Sequence, residues 1–445
     1  MQRLNSIIFK SYRGDHVLVC SPSMNIFVGN NNCGKTTVFH AVSFIESGGD
    51  PDVLLTQGED GDVSVELEFR GSDIPSVISS SENLKKYEGY ICQDSDGYFL
   101  RVMRSSREED IVQNKKHRSL SIRNVRIYNP ETKQFENPTG IDKTISALFD
   151  AQYVWADTNN DDFHDFGKTK IIGRLISDVT NSFKDSDTWG KFEEAHRHAF
   201  GPNENGSIAT LLKPIEQRIE SILGEQYGQV GVTFNFGLPQ LDTFFKTGHV
   251  DLADNGITTD SSLKGTGLQR ALALALIQVY AGVDVSEAGA SGKPFLFFLD
   301  EPETFLHPTA QDRLLTALDR LSAHSQIFLT THSPYLLRHF DAQKHCLYVF
   351  SHEGRSSKFL CGDRLNRFAG ISPTWGEINY FAFNVVSVEF HNELFGALMT
   401  LLKKRGYVTG TIASVDNYLV EQHNFERKYE RFDDRNFKVD SNNKK

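Results

Sequence analysis

Residues 29–36 read Gly29-Asn30-Asn31-Asn32-Cys33-Gly34-Lys35-Thr36, and this stretch decides the fold. It matches the pattern G-x-x-x-x-G-K-[ST], with a β-prone run at 25–28 before it and helical spacing of apolar residues after it. Glycines allow the backbone to curl, so that consecutive N–H groups and the N-terminus of the next helix surround phosphate oxygens. The stretch predicts a strand, a phosphate-binding loop and a helix. The alternative is a Gly/Asn turn before an ordinary helix.

The sequence of this loop also predicts which groups the Lys35 and Thr36 side chains bind. The Lys35 ammonium is expected to reach the β- and γ-phosphates of a nucleotide, and the Thr36 hydroxyl to ligate magnesium. A nucleoside triphosphate is therefore the expected ligand, with Mg²⁺ as its cofactor. The nucleotide-binding residues predicted in this segment are Gly29, Asn30, Asn31, Asn32, Cys33, Gly34, Lys35, Thr36 and Thr37.

A second motif lies far downstream, where 294–303 reads PFLFFLDEPE. Five apolar residues followed by two acids are typical of a central parallel strand that is buried on both faces and carries carboxylates at its C-terminal edge. We predict that Asp300 is part of the magnesium shell and that Glu301 is the general base for the attacking water. The alternative is a strand that ends in solvated acids.

A third motif, 326–334, is another apolar strand that ends in hydroxyls and a histidine. If this strand lies beside the acidic one, His332 can hydrogen-bond the γ-phosphate and take part in hydrolysis. A histidine after a strand is more often structural, so this prediction depends on the two motifs before it.

The fourth motif is the glycine-bearing turn of 261–270, SSLKGTGLQR, which opens a strongly apolar helix. Free N–H groups at a helix start form an anion site. Because the first loop already holds a nucleotide, a second cradle at Thr266-Gly267 predicts docking against the nucleotide of a neighbouring copy. A simple capped core helix is the alternative.

Composition limits the class of protein. The 445 residues are 39% hydrophobic and 24% charged, which permits a large core and excludes wholesale disorder. No stretch approaches the roughly 20 apolar residues of a membrane helix. Five cysteines without a CxxC pair favour the cytoplasm and exclude a disulfide scaffold. The net charge of -11 disfavours a surface that binds nucleic acid throughout, although a local basic stripe could still do so.

Five segments are expected along the chain. Apolar alternation predicts a strand at 63–69, and further short strands are expected at 98–103, 125–128, 230–236 and 247–252. The alternation of helix and strand over 262–350 predicts a parallel α/β sheet, and the last twenty-five residues are expected to fray. The segments are 1–70 (first part of the head), 71–168 (β-rich insertion), 169–229 (helical arm), 230–350 (second part of the head) and 351–445 (α-rich tail).

In this order the four motifs resemble those of the ATP-binding-cassette ATPases, within the branch of SMC, RecF and OLD-type proteins. The resemblance implies an α/β, P-loop ATPase head with an antiparallel β subdomain, a helical insertion and an α-rich C-terminal tail. It places Arg13 near the adenine and lets Thr266-Gly267 contact a γ-phosphate across a dimer, where the family has serine at position 266. It also places 306–308 at the dimer interface.

OLD-type nucleases continue into a Toprim domain, and its acidic pattern is not found in this sequence. The chain therefore resembles OLD-like ATPases without a nuclease of their own, such as the ATPase subunits of PARIS anti-phage systems. This implies a homo-oligomer of at least two copies, a separate Toprim-type effector and a phage-encoded trigger. A RecF-like ATPase acting on DNA is the alternative, and an unrecognised nuclease site is a third possibility.

Other patterns leave more than one interpretation open. The basic segment 115–126 could bind the phosphate backbone of a nucleic acid, bind an acidic phage protein, or be a solvated loop. The acidic cluster 157–165 could hold a metal or be a polar loop. The tail aromatics, which are Tyr380, Phe381, Phe383, Phe390 and Phe395, could dock an effector or pack the core of the tail. The glutamine that ties magnesium to the arm in the family could be Gln57 or Gln152.

Overall fold

The computed structural model describes most of the chain. The described residues are 3–11, 14–48, 54, 61–113, 116–156, 183–184, 186–201, 206–226, 228, 230–238, 248–254, 256–287, 295–304, 306–323, 325–353, 356–362, 365, 368, 372–423, 430–433 and 436–439. The chain forms two compact units. The first contains Met1–Val154, Ser291–Glu303 and Pro308–Lys445, and the second contains Trp155–Ala290 and Thr304–His307.

The strands and helices are numbered here in chain order. The strands are β1 (Arg3–Ser11), β2 (Gly14–Val19), β3 (Met24–Gly29), β4 (Ser64–Arg70), β5 (Cys92–Asp94), β6 (Gly97–Ser105), β7 (Glu109–Gln113), β8 (Lys116–Leu120), β9 (Arg126–Asn129), β10 (Gln134–Glu136), β11 (Asp150–Val154), β12 (Asp251–Asp254), β13 (Ile257–Asp260), β14 (Phe295–Asp300), β15 (Gln326–Thr331), β16 (His345–Glu353), β17 (Ser356–Cys361), β18 (Glu430–Asp433) and β19 (Asn436–Val439). The helices are α1 (Thr37–Ser47), α2 (Ile74–Ser79), α3 (Ile145–Leu148), α4 (Asp187–Phe200), α5 (Ile208–Gln226), α6 (Thr266–Glu287), α7 (Pro308–Ser322), α8 (Trp375–Phe383), α9 (Val388–Lys404) and α10 (Ile412–His423). Within the described ranges, four short 3₁₀ turns lie at Lys85–Tyr90, Ile141–Lys143, Ser261–Leu263 and Leu336–His339.

An antiparallel sheet forms one layer of the first unit. Its strand order is β10-β9-β6-β4-β1-β2, and β5 pairs with β6. Along β4 buried residues alternate with half-buried ones, as the period-two pattern at 63–69 predicts. The strands expected at 98–103 and 125–128 are present as β6 and β9.

The other sheet of the first unit has the order β11-β14-β15-β3-β16-β17. All its neighbours are parallel except the hairpin of β16 and β17. Strands β3 and β15 are buried along their whole length. In register, Asp300 pairs with Thr330 and Thr331 pairs with Val28, so the carboxyl ends of three adjacent strands lie level. The predicted parallel α/β sheet is confirmed.

Aromatic side chains fill the core of this sheet. The rings of Tyr153, Phe298 and Phe328 stack across three adjacent strands, with centroids 4.8 and 4.7 Å apart. The edge of Phe39 from α1 contacts Phe298 at 5.2 Å. Such contacts add to the large apolar area that each ring buries. They fix α1, and with it the loop before α1, over the central strands.

A buried amide joins the two sheets. The side chain of Gln326 is fully buried; its oxygen accepts from the N–H of Leu4 at 3.0 Å, and its Nε2 donates to the Leu4 carbonyl at 2.8 Å and to the Ser21 carbonyl at 2.7 Å. A buried amide group requires such partners, since a buried unpaired polar group costs about 1–3 kcal/mol. The first strand of one sheet is thereby tied to a central strand of the other.

The second unit is mainly helical in its described part. It contains α4, α5, the β12–β13 hairpin and α6. The expected strand at 230–236 is wrong. The N–H groups of Val232 and Phe234 donate to the carboxylates of Glu220 and Glu216 on α5, both at 2.7 Å, so side chains take the hydrogen bonds that a neighbouring strand would have made. The strand expected at 247–252 begins at Asp251 in the described residues.

The C-terminal part differs from the expectation in two ways. Strand β16 continues to Glu353, past the boundary predicted at 350. Strands β18 and β19 pair antiparallel, with Phe432 opposite Phe437, within the part of the chain that was expected to fray. No helix among the described residues is long and apolar enough to cross a membrane.

Candidate nucleotide site

The predicted phosphate loop connects β3 to α1, and its backbone needs glycine. A Cβ at Gly29, whose φ is 140°, would lie 2.2 Å from the carbonyl oxygen of Phe350 on the adjacent β16. Gly34 and Asn32 also have positive φ, at 92° and 59°. These conformations favour glycine and asparagine. The loop therefore curls back over the end of the sheet, as its sequence predicts.

Lys35 is folded into this loop. Its side chain is 4% exposed, and its Nζ donates to the carbonyl oxygens of Gly29 and Asn30 at 3.2 and 3.1 Å. Burial lowers the pKa of Lys35, while Cys33 and the nearby carboxylates of Glu301 and Asp300 act in the opposite direction. The ammonium is thus partly desolvated beside carbonyl dipoles, which strengthens its attraction for an anion.

Thr36 and Asp300 meet at the ends of adjacent elements. The Thr36 hydroxyl donates to Asp300 Oδ1 at 3.0 Å, and the Thr330 hydroxyl donates to the same oxygen at 2.5 Å. The structure therefore brings together the two predicted metal ligands. Hard oxygen donors of this kind suit Mg²⁺, which usually takes one or two protein oxygens besides phosphates and waters.

Glu301 directly follows β14 and His332 directly follows β15, so their side chains lie close together at the ends of these two strands. Glu301 has a φ of 45°, and its N–H donates to the Thr330 carbonyl at 3.2 Å and to the Thr330 hydroxyl at 3.0 Å. His332 Nε2 lies 3.2 Å from Glu301 Oε1 and 2.7 Å from Lys35 Nζ. The left-handed backbone turn at Glu301 aims its carboxylate toward the phosphate loop.

One pocket of about 500 Å³ is lined by Lys35, Thr36, Glu301 and His332 together with other residues of the loop and of α1. Its lining consists of Asn31, Asn32, Cys33, Gly34, Lys35, Thr36, Thr37, His40, Glu301 and His332. Sequence reasoning missed His40. His40 lies on α1 four residues after Thr36, a spacing that places both side chains on the same side of the helix and could have identified His40.

The predicted second cradle belongs to the second unit. Helix α6 begins at Thr266, which is exposed, and Gly267 is half-buried. The Gln269 amide donates to the carbonyls of Ser262 and Lys264 at 2.8 and 2.9 Å, which fixes the turn before the helix. The start of this long helix is thus ordered and open to solvent, which suits an anion from outside the unit.

Several other predictions fall outside the described residues. They are Arg13, Gln57 and the acidic cluster 157–165. Gln152 is mid-strand on β11, opposite Phe297, and donates to Asp150 at 2.8 Å. Its amide is therefore engaged away from the strand end that carries Asp300.

Two arginines of the basic segment are engaged within the fold. Arg126 is 2% exposed and pairs with Glu109 at 2.7 Å, and Arg118 donates to the Asn137 carbonyl. Of the tail aromatics, Phe390 is buried and stacks on Tyr380, which is 38% exposed. Core packing explains Phe390, whereas Tyr380 is at the surface.

Comparison with known proteins agrees with this geometry. Residues 24–338 match the family described as "AAA domain, putative AbiEii toxin, Type IV TA system". The chain belongs to this family. It is 28% identical to the Old nuclease of Escherichia phage P2 over 333 residues, which are 70% of this chain and 53% of that protein. The chain thus spans about half the length of this curated relative.

Among solved structures, similar chains include SMC heads. One is an SMC head bound to the C-terminal winged-helix domain of ScpA (13% identity, TM-score 0.46, 81% of this chain and 98% of that one). Another is the SMC head of Thermotoga maritima (13% identity, TM-score 0.36, the same coverage). The mixed α/β architecture, with a largely parallel sheet, an antiparallel sheet and a helical C-terminal region, confirms the predicted fold class.

Proposed function

We propose that this chain binds ATP with Mg²⁺ and hydrolyses it to ADP and phosphate. The observation that carries the proposal is the convergence of five side chains at the ends of three adjacent strands, four of which line one pocket while Asp300 is hydrogen-bonded to Thr36 beside it. They are Lys35, Thr36, Asp300, Glu301 and His332. The pocket opens at the carboxyl edge of a parallel sheet, where ligands of open α/β folds bind.

Each side chain has a chemical role in this proposal. Lys35 binds the β- and γ-phosphates, and backbone N–H groups of the loop hold the remaining oxygens. Glu301 accepts a proton from the attacking water, and His332 donates a hydrogen bond to the γ-phosphate. Thr36 and Asp300 would hold Mg²⁺, which supplies charge neutralisation of the phosphates when bound.

We further propose that ATP joins copies of the chain into a homo-oligomer of at least two. Thr266 and Gly267 of one copy would contact the γ-phosphate held by Lys35 of another. The open, ordered start of α6 supports this proposal. ADP lacks the γ-phosphate, so hydrolysis removes the differential contact that favours the assembled state.

The proposed biological role is anti-phage defence, with a separate Toprim-type nuclease as the effector. The assembly would hold this toxic partner and release it when a phage-encoded trigger is present, as the resemblance to PARIS ATPase subunits implies. Two findings support the role: the family description refers to a toxin system, and the phage P2 relative is a nuclease of about twice the matched length. A RecF-like ATPase would instead show strong stimulation by duplex DNA.

ATP turnover and ATP affinity of matched variants test the activity. Lys35→Ala should weaken ATP binding by about 100-fold or more, because several charge-assisted hydrogen bonds are lost. Glu301→Gln should bind ATP within about threefold of wild type yet lower kcat by about 100-fold or more, because the general base is gone. Lys404→Ala, at an exposed site, is the control. Unchanged ATP affinity in Lys35→Ala would refute the pocket assignment.

A further inference from the structure

A second glutamate, two residues after Glu301, is buried beneath the pocket rather than lining it. Glu303 is 6% exposed. Its Oε1 accepts the hydroxyl of Thr331 at 2.6 Å and the backbone N–H of His332 at 2.9 Å. One carboxylate oxygen therefore fixes the end of β15 and the backbone of the histidine that faces the proposed γ-phosphate position.

Helix α7 supplies a second link between the same two loops. Gln311 Nε2 donates to the backbone carbonyl of Glu303 at 3.4 Å, and Gln311 Oε1 accepts the Ser333 hydroxyl at 2.6 Å. The Ser333 N–H also donates to the Thr331 hydroxyl at 3.0 Å. The turn that follows β15 is thus held to the loop that follows β14 on both sides of His332.

The arrangement carries a cost in stability. Within the described structure, Glu303 Oε2 is buried without a hydrogen-bond partner. Burial raises the pKa of Glu303, and the Thr331 hydroxyl acts in the opposite direction. A buried unsatisfied polar atom costs about 1–3 kcal/mol, so the unpaired Oε2 lowers the stability of the folded chain.

We propose that Glu303 is a positioning residue for hydrolysis, which sets His332 through the His332 N–H and the Thr331 hydroxyl. The inference rests on the proposed function and goes beyond it, because Glu303 does not line the pocket and touches no reacting atom. Any movement of the loop after β14 is transmitted through Glu303 to the histidine. Glu303 precedes 306–308, the segment expected at the interface between copies, by only three residues.

A double-mutant cycle on ATP turnover tests this coupling. Glu303→Ala should lower kcat by about 10- to 100-fold, the order expected for a misplaced catalytic group, with ATP affinity within about threefold. In a His332→Ala background, Glu303→Ala should have almost no further effect on kcat, because residues that act as a unit are non-additive. Glu303→Gln should keep at least a third of kcat, since its carbonyl oxygen accepts the same two hydrogen bonds. Additive losses, or a Glu303→Gln loss as large as that of Glu303→Ala, would overturn the proposal.

Three further experiments separate this proposal from general loss of stability and from failure of the proposed activity. Glu377→Ala removes an equally buried glutamate that caps α8 and should change kcat less than twofold. If Glu303→Ala does not fold, Thr331→Val removes one of the two hydrogen bonds and should show the same dependence on His332. The ¹⁵N NMR signals of His332 should shift in Glu303→Ala without any nucleotide; unchanged signals would contradict the coupling even if the protein hydrolyses no ATP.

Discussion

At the residue scale, one ring nitrogen of His332 has two neighbours of opposite charge. Its Nε2 is 2.7 Å from Lys35 Nζ and 3.2 Å from Glu301 Oε1. A neutral imidazole nitrogen either accepts or donates, so it cannot satisfy both groups. A phosphate oxygen that attracts the Lys35 ammonium would leave Nε2 available to donate. We expect nucleotide binding to change the hydrogen bonding of His332 in this way.

The raised pKa of Glu303 predicts a pH-dependent difference in stability between wild type and Glu303→Gln. Because burial holds the folded pKa above the ordinary value of 4.5, the carboxyl favours the folded state at low pH, and this contribution is lost as pH rises through the folded pKa. The free energy of unfolding of wild type should therefore fall relative to Glu303→Gln above about pH 4.5, by at most about 1.4 kcal/mol per pH unit. Urea unfolding of both proteins from pH 4.5 to 8 measures it, and a constant difference would contradict the raised pKa.

The sequence predicts the acids at the end of β14 and roles for Asp300 and Glu301, but it does not predict the position of Glu303. The end of this strand can be placed from the sequence, because an apolar run followed by Asp-Glu-Pro-Glu is a local pattern. The direction of each side chain depends on the φ of 45° at Glu301 and on the hydroxyl of Thr331, which lies 28 residues after Glu303. Such partners are far apart in sequence, so Glu303 could not be assigned before the structure.

At the element scale, α1 is fixed at the end opposite the phosphate loop. Arg104 is 4% exposed, and its guanidinium donates twice to the Ile45 carbonyl, at 3.1 and 2.9 Å. Burial lowers the pKa of Arg104. A cation at the C-terminus of a helix interacts favourably with the helix dipole. Gly48 ends the helix with a φ of 67°, and a Cβ there would lie 2.3 Å from Arg104 Nη1.

We predict that Gly48→Ala lowers the free energy of unfolding by about 2–4 kcal/mol. About 1–2 kcal/mol comes from left-handed backbone strain, and about 1–2 kcal/mol from disturbed hydrogen bonds of Arg104. Urea unfolding measures the change. Gly406→Ala is the matched control, because its φ is 76° and no atom lies within 4 Å of its Cβ position, so only the strain should appear. Equal losses at both positions would contradict the role of Arg104.

The elements differ in how well the sequence predicts them. The parallel sheet is confirmed because continuous apolar runs that end in phosphate-loop or acidic motifs have few alternative structures. The strand expected at 230–236 is wrong. Two N–H groups of this segment donate to Glu216 and Glu220 of α5 and therefore do not pair with a neighbouring strand. The basic segment could not be interpreted from charge alone, because Arg126 is buried against Glu109.

At the scale of the whole molecule, the two proposed phosphate sites belong to different compact units. The pocket around Lys35 is in the first unit, and the start of α6 at Thr266 is in the second. Both are ordered locally by their own hydrogen bonds. If ATP joins copies of the chain, a change at Thr266 should disturb assembly without affecting the pocket of Lys35.

We predict that Thr266→Arg, placed in a Glu301→Gln background, binds ATP with normal affinity but does not assemble. The long cationic side chain would occupy the exposed helix start and exclude a second copy's nucleotide from the N–H groups there. Sedimentation velocity at saturating ATP and Mg²⁺ measures the assembly. The Glu301→Gln background keeps the nucleotide intact, so the assembled form should accumulate in the parent and be absent in the double variant.

A charge added elsewhere on the second unit separates local blocking from a general effect of charge. Ser221→Arg introduces the same side chain at an exposed position of α5 and should assemble like its Glu301→Gln parent. If Thr266→Arg also assembles normally, the second cradle does not contact nucleotide. If the parent itself stays monomeric with ATP and Mg²⁺, assembly around the nucleotide is refuted, whereas ATP binding at Lys35 would stand, because that pocket is built within one copy.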